Sequence, residues 1–178
     1  RMKLSEGIDW FTGVISAAAD STPMVVICGN TPSYHHAREP HQGIRFHADA
    51  SQGDIYRPFS KRVWRIDEAK FLVDVMPRAL NVAQTGRPGA VLLDVPMDVF
   101  SQQVSAEPVT VARRPNYERA AGSPEGVAAA ADVLARASAP LIFAGNGATL
   151  SDASPELRQV AETLGAPVAT TLMAATQR

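Results

Sequence analysis

All four histidines of the chain, His35, His36, His41 and His47, fall in one stretch, "SYHHAREPHQGIRFH" at 33–47. Such a cluster suits three chemistries: a metal site, a group titrating near neutrality, or one wall of a ligand site. A zinc-type site needs three or four ligands converging at about 2.0–2.1 Å. His35 and His36 are adjacent and point apart in an extended chain, Arg38 and Arg45 add two cations, and no cysteine assists. These features argue against a metal, and no metal ligands are assigned. A pH switch is physically available, because imidazoles gain charge below a pKa of about 6.5, yet nothing in the sequence couples it to a second state. A ligand-site wall and an undistinguished surface loop stay open.

Three other places carry chemistry. In "GRPG", Gly86 and Gly89 flank Arg87-Pro88, allowing a tight helix-to-strand turn that presents a guanidinium. In "AGNGA", Gly145 and Gly147 follow an apolar run, where backbone can approach a phosphate closely. The pattern is not GxGxxG, and it fits a plain turn as readily. Lys61, with Arg57 and Arg62 nearby, supplies either a fixed positive charge for a carboxylate or phosphate, or a solvated basic face.

These groups must be held by regular elements, and helical and strand signals alternate. "GIDWFTGVISAAADS" is an Ala-rich amphipathic helix, and "MVVICGN" (24–30) a buried strand. Pro32, Pro40 and Gly43 argue against regular structure in the His-rich stretch. "PFSKRVWRI" (58–66) alternates as a strand. Asp67 is the expected N-cap of the helix "EAKFLVDVMPRALNVAQT", which Pro77 kinks or splits and Gly86 ends. "GAVLLDVP" is then a fully apolar strand. Residues 101–121, with no clean period, read as an interdomain linker. Beyond it Ser123-Pro124-Glu125 starts a helix, "APLIFAGNGA" is strand and turn, Ser154-Pro155-Glu156 starts a second helix that Gly165 stops, and "APVATTLM" is another strand. Strand–helix–strand order with apolar strands implies parallel sheets, so both halves are α/β.

Composition bounds the function classes. The 178 residues are 46% apolar and 20% charged, with net charge −1, so no basic field attracts nucleic acid or an anionic membrane. The apolar runs are too short to span a bilayer, and no apolar signal segment follows "RMK". The single cysteine, Cys28, excludes an internal disulfide and fits a reducing compartment. The expectation is a soluble cytoplasmic protein.

"TGVISAAADSTPMVVICGN", "RPFSKRVWRID" and above all "TGRPGAVLLDVPMDV" resemble the pyrimidine-binding domain of thiamine-diphosphate enzymes of the acetolactate synthase type. "APLIFAGNGATLSDASPELRQVAETLGAPVATTLM" resembles the start of their middle domain. The resemblance covers roughly residues 12–100 and 122–173. It implies two incomplete parallel-sheet α/β units: 1–100 the C-terminal part of the pyrimidine-binding domain, 101–121 a linker, and 122–178 the N-terminal part of a Rossmann-like middle domain. It implies a 2-keto acid decarboxylase/carboligase, a lyase or transferase, using thiamine diphosphate and Mg²⁺, with FAD left open as a further cofactor. In that chemistry the cofactor is the electron sink for decarboxylation.

The family's activating glutamate lies upstream of the segment that matches residue 12, and its Gly-Asp-Gly…Asn metal motif does not occur here. The resemblance therefore places no catalytic residue in this chain and implies that the chain alone is inactive. Pro32, Phe46, His47 and Lys61 match the loop and strand that face a neighbouring subunit's substrate channel. Arg87, Gly145, Gly147, Thr171, Leu172 and Met173 match positions lining a flavin site. For Arg87, a surface arginine capping a helix C-terminus is the competing reading. The implied partners are a small anionic 2-keto acid and further copies of the chain, as a homodimer or homotetramer. The His-rich stretch then becomes the loop after a parallel strand, at the carboxyl end of a sheet, where α/β ligands bind. The rival is a truncated, non-catalytic remnant or oligomerisation module. A free-standing dinucleotide-binding domain is disfavoured, since no GxGxxG follows a strand.

Overall fold

The computed structural model describes residues 5–35, 38, 51–104 and 121–175. The chain forms two compact units, Arg1–Tyr117 and Glu118–Arg178. Of the expected linker 101–121, residues 105–120 lie outside the described residues.

The first unit is built round one strand. Helix α1 (Ser5–Ala19) leads into β1 (Met24–Asn30). A short α2 (Gln52–Tyr56), β2 (Arg62–Arg65), α3 (Lys70–Gln84) and β3 (Ala90–Pro96) follow. The sheet order is β1-β3-β2, and both pairings are parallel. Central β3 is buried along its whole length, which is why "AVLLDVP" reads as a continuous apolar run rather than an alternating one. Its side chains nevertheless alternate between two cores. Val91, Leu93 and Val95 pack with Ala79 and Ala83 of α3, whereas Ala90 and Leu92 pack with Val14 and Ala17 of α1, Val26, Cys28 and Tyr56. Helices thus cover both faces of the sheet.

The structure corrects three local expectations in this unit. The strand expected over 58–66 is only Arg62–Arg65, because Arg57–Phe59 forms a 3₁₀ turn around Pro58, which has no N–H for a ladder. Ahead of it the unexpected α2 is started by Ser51, whose N–H and Oγ both donate to Asp54 Oδ2. Asp67 does not cap α3. Its carboxylate accepts from Arg65 Nε at 2.8 Å, and Gln102 Oε1 instead accepts from the N–H of Ala69, the cap residue, at 2.9 Å. Nor does Pro77 split the helix. α3 runs unbroken through it, with Val75 and Met76 before the proline and Ala79 and Ala83 after it packed on one core.

The second unit contains α4 (Pro124–Ala135), β4 (Ile142–Ala144), α5 (Asn146–Leu150), α6 (Ser154–Leu164), β5 (Val168–Thr170) and α7 (Leu172–Ala175). β4 and β5 pair in parallel. Ser123 caps α4 as expected, its Oγ accepting from Gly126 N–H at 3.0 Å. Gly165, at φ 59°, ends α6 in the left-handed region that favours glycine. Three details differ here. The expected turn at "AGNGA" runs into α5. Ala153, not Ser154, caps α6, with Ser154 and Pro155 already inside its first turn. The last strand stops at Thr170, and Leu172 and Met173 open α7.

Candidate functional site

In a parallel sheet the strands' carboxyl ends share one edge, where ligands of α/β proteins gather. In the first unit that edge is formed by Asn30, Arg65 and Pro96, as the strand register requires. A polar network replaces the sheet ladder there. Asn30 Nδ2 donates to Asp94 Oδ1 and Oδ2 at 2.9 and 3.0 Å. Asn30 Oδ1 accepts from Thr31 N–H at 2.7 Å. One step further along, Asp98 accepts Ser33 N–H on Oδ1 and Ser33 O–H on Oδ2, at 2.7 and 2.5 Å. Gln52 Nε2 reaches the carbonyl of Gly29 at 3.4 Å.

The two aspartates sit in different surroundings. Asp94 is 2% exposed, and burial raises its pKa against the opposing effect of the Asn30 amide. Asp98 is held below the ordinary carboxylate value by its bonds from Ser33. Beside this edge, burial pushes the Cys28 thiol up to about 11, with the Asp94 charge adding to the effect. The Tyr56 hydroxyl is pushed up to about 12 by burial, and the neighbouring thiol adds to it. No nitrogen or oxygen among the described residues bonds that hydroxyl; Cys28 is its polar neighbour, and a thiol is a weak partner.

Of the four residues expected to line a substrate channel, the two described ones, Pro32 and Lys61, lie at opposite edges of the sheet. Pro32 lies at the carboxyl edge, its carbonyl accepting from His35 N–H at 3.0 Å. Lys61 lies at the opposite edge, where its N–H donates to Ala90 O at 2.8 Å. The six residue steps of β3 from Ala90 to Pro96 span about 20 Å at roughly 3.3 Å per step. The Lys61 ammonium donates to the carbonyls of Val82 and Thr85, at the C-terminus of α3, and burial lowers its pKa. Lys61 therefore caps a helix. Phe46 and His47 lie outside the described residues, as do His36 and His41.

Arg87 has the contacts of its second reading. Nε donates to Ser21 Oγ at 2.8 Å and Nη2 to Ala19 O at 3.3 Å, at the end of α1. In the second unit the remaining site residues do converge. Gly145 follows β4 and Thr171 follows β5, and Thr171 N–H donates to Ala144 O at 3.0 Å. Gly147 lies in α5 and Leu172 and Met173 in α7, all beyond that carboxyl edge. A Cβ added at Gly145 or Gly147 meets no atom within 4 Å, so the backbone there is open to close approach. Among the described residues no group of three or more His, Cys, Asp or Glu could hold a metal ion, and no helix is long and apolar enough to cross a membrane.

Residues 127–176 match the family "Thiamine pyrophosphate enzyme, central domain". The chain is also 34% identical over 167 residues to glyoxylate carboligase of Escherichia coli O157:H7, and the match takes in 94% of this chain and so both units. Along nearly its whole length, therefore, the chain is similar to acetolactate-synthase-like thiamine pyrophosphate enzymes. It is 35% identical to the acetolactate synthase large subunit of Parasynechococcus marenigrum and 32% identical to a probable acetolactate synthase large subunit of Methanocaldococcus jannaschii, over 91% of this chain in each case. It spans only 26–27% of the length of these three relatives.

The residues that sequence reasoning passed over are Asn30, Ser33, Asp94 and Asp98. One signal for them was present: Asp94 is a carboxylate inside an otherwise apolar strand, and a buried carboxylate needs a partner.

Proposed function

We propose that the chain forms part of a thiamine-diphosphate-dependent enzyme that decarboxylates a small anionic 2-keto acid and joins the product to a second carbonyl compound. The observation that carries this reading is the match to carboligase and synthase relatives running through both units in one alignment. When bound, thiamine diphosphate supplies the electron sink for decarboxylation. This chain contributes a hydrogen-bonded carboxyl edge, where Asn30 links Thr31 to Asp94 of β3. Mg²⁺ is the companion of thiamine diphosphate in this proposal, and its ligands are not assigned to the described residues of this chain. FAD is left open as a further cofactor. Its support is the open backbone at Gly145 and Gly147 beside Thr171. The proposal includes assembly as a homodimer or homotetramer. It also includes a reducing, cytoplasmic setting, in keeping with one buried cysteine.

A chimera tests the reaction. The present sequence replaces the matching 27% of the Escherichia coli glyoxylate carboligase, and CO₂ release from glyoxylate is followed with thiamine diphosphate and Mg²⁺ supplied. Retained turnover is expected. A chimera that folds and binds the cofactor but releases no CO₂ overturns the reading.

The oligomerisation-module reading draws on one observation: Phe143 and Leu172 of the second unit are 71% and 79% exposed. Exposed large apolar side chains such as these suit an interaction surface, and a chain that sediments as a monomer would exclude that role.

A further inference from the structure

The stretch Asp94-Val95-Pro96-Met97-Asp98 belongs to the most telling motif of the sequence, yet the sheet uses only the backbone of its first aspartate, whose carbonyl accepts from Ile66 N–H at 2.9 Å. The β1–β3 register ends at Asn30 and Pro96. The nitrogen of Pro96 faces the β2 side, so its missing N–H leaves the β1–β3 ladder intact. The next main-chain link is Met97 N–H to Asn30 O at 2.9 Å. Beyond that point two carboxylates take over. A carboxylate is acceptor-only, with two oxygens, so each can gather two donors from a passing chain. Asp94 takes both contacts of the Asn30 amide, whose own oxygen then holds Thr31 N–H. Asp98 takes the N–H and the O–H of Ser33, one on each oxygen. The four residues leaving β1, Asn30 to Ser33, are thereby tied at both ends to one short segment of β3 and its turn.

We propose that Asp94 and Asp98 are positioning residues: a two-point clamp, acting through Asn30 and Ser33, that sets Thr31 and Pro32 at the carboxyl edge. Their relevance to catalysis rests on the reading given above for Pro32; the clamp itself does not. Neither aspartate touches a reacting atom in this assignment. Asp98 works in its ionised form, in keeping with the bonds from Ser33 that hold its pKa down, and Asp94 works from within the core.

Amide hydrogen exchange by NMR on the 178-residue chain tests the clamp, with Leu92 and Leu93 as core references. Asp98→Ala should speed exchange at Ser33 by about tenfold or more, as expected for losing a bond to a charged acceptor, and leave Leu92 and Leu93 unchanged. Asp98→Asn, which keeps an acceptor oxygen and gains a donor for Ser33 Oγ, should restore most of the protection. Asn30→Ala should do the same at Thr31 as Asp98→Ala does at Ser33. If Asn30→Ala fails to fold, the half-exposed Asp98 still decides the matter. Unchanged exchange at Ser33 overturns the clamp. So does a rise shared equally by Leu92 and Leu93, which would report only general loosening. Exchange needs no substrate, so an inactive chimera would overturn the reaction while leaving the clamp to stand or fall on its own.

Discussion

Lys61 offers the sharpest separation between a substrate cation and a structural one. Its ammonium donates to two carbonyls at the end of α3, and its stem lies over Gly89, where a Cβ would come within 3.2 Å of both Cγ and Cδ. A charged donor on helix C-terminal carbonyls is worth about 1 kcal/mol at a partly exposed site such as this. Lys61→Ala should therefore lower the melting temperature by about 4–8 °C for a domain of roughly 100 residues. Gly89→Ala should be destabilising too, because the new methyl displaces the stem that carries the cap; Gly89 has ordinary backbone angles, so the cost is steric. In the Lys61→Ala background no stem remains to displace, and Gly89→Ala should cost almost nothing. The cycle predicts coupling of about 0.5–1 kcal/mol between the two sites. Thermal or urea melts of the four proteins, followed by circular dichroism, measure it. Strict additivity, or an unchanged melt for Lys61→Ala, would refute the capping argument and return Lys61 to the pool of free cations.

Two further perturbations follow from the same cores. Leu93 is completely buried against α3, so Leu93→Ala should cost about 3–4 kcal/mol of unfolding free energy, read as a lowered urea midpoint; a cost below about 1 kcal/mol would mean that this core collapses freely. Cys28, raised from 9.0 to about 11, binds its proton more tightly folded than unfolded. Stability should therefore fall as pH rises from about 9 through about 11, and Cys28→Ala should flatten that decline. In the native protein at about pH 8 the thiol should resist alkylation until denaturant is added.

Much of the first unit was legible because its elements carry local signals. The run at 90–96 is apolar without alternation, which specifies a strand buried on both faces. In the second unit, Gly165 marks a left-handed helix end that other residues avoid, and Ser123-Pro124-Glu125 is a local capping pattern; each needs only a few neighbouring residues to act. The errors came where distant groups compete for the same role. Asp67 has the right chemistry for a cap, yet Arg65 holds its carboxylate while Gln102, thirty-three residues from Ala69, supplies the acceptor. Pro77 breaks an isolated helix, but residues on both sides of it face one core, and their burial outweighs the lost hydrogen bond.

The candidate site divides in the same way. Residue types alone determined that the chain alternates strand and helix and resembles thiamine-diphosphate enzymes. Only the parallel register could decide which polar groups meet, because it brings Asn30 beside Asp94 and Ser33 beside Asp98 across more than sixty positions of sequence. The same register sends Lys61 to the far edge of the sheet, about 20 Å from Pro32 by strand rise. Sequence spacing carries no information about that separation, since neighbours across a sheet are chosen by strand direction and pairing rather than by distance along the chain.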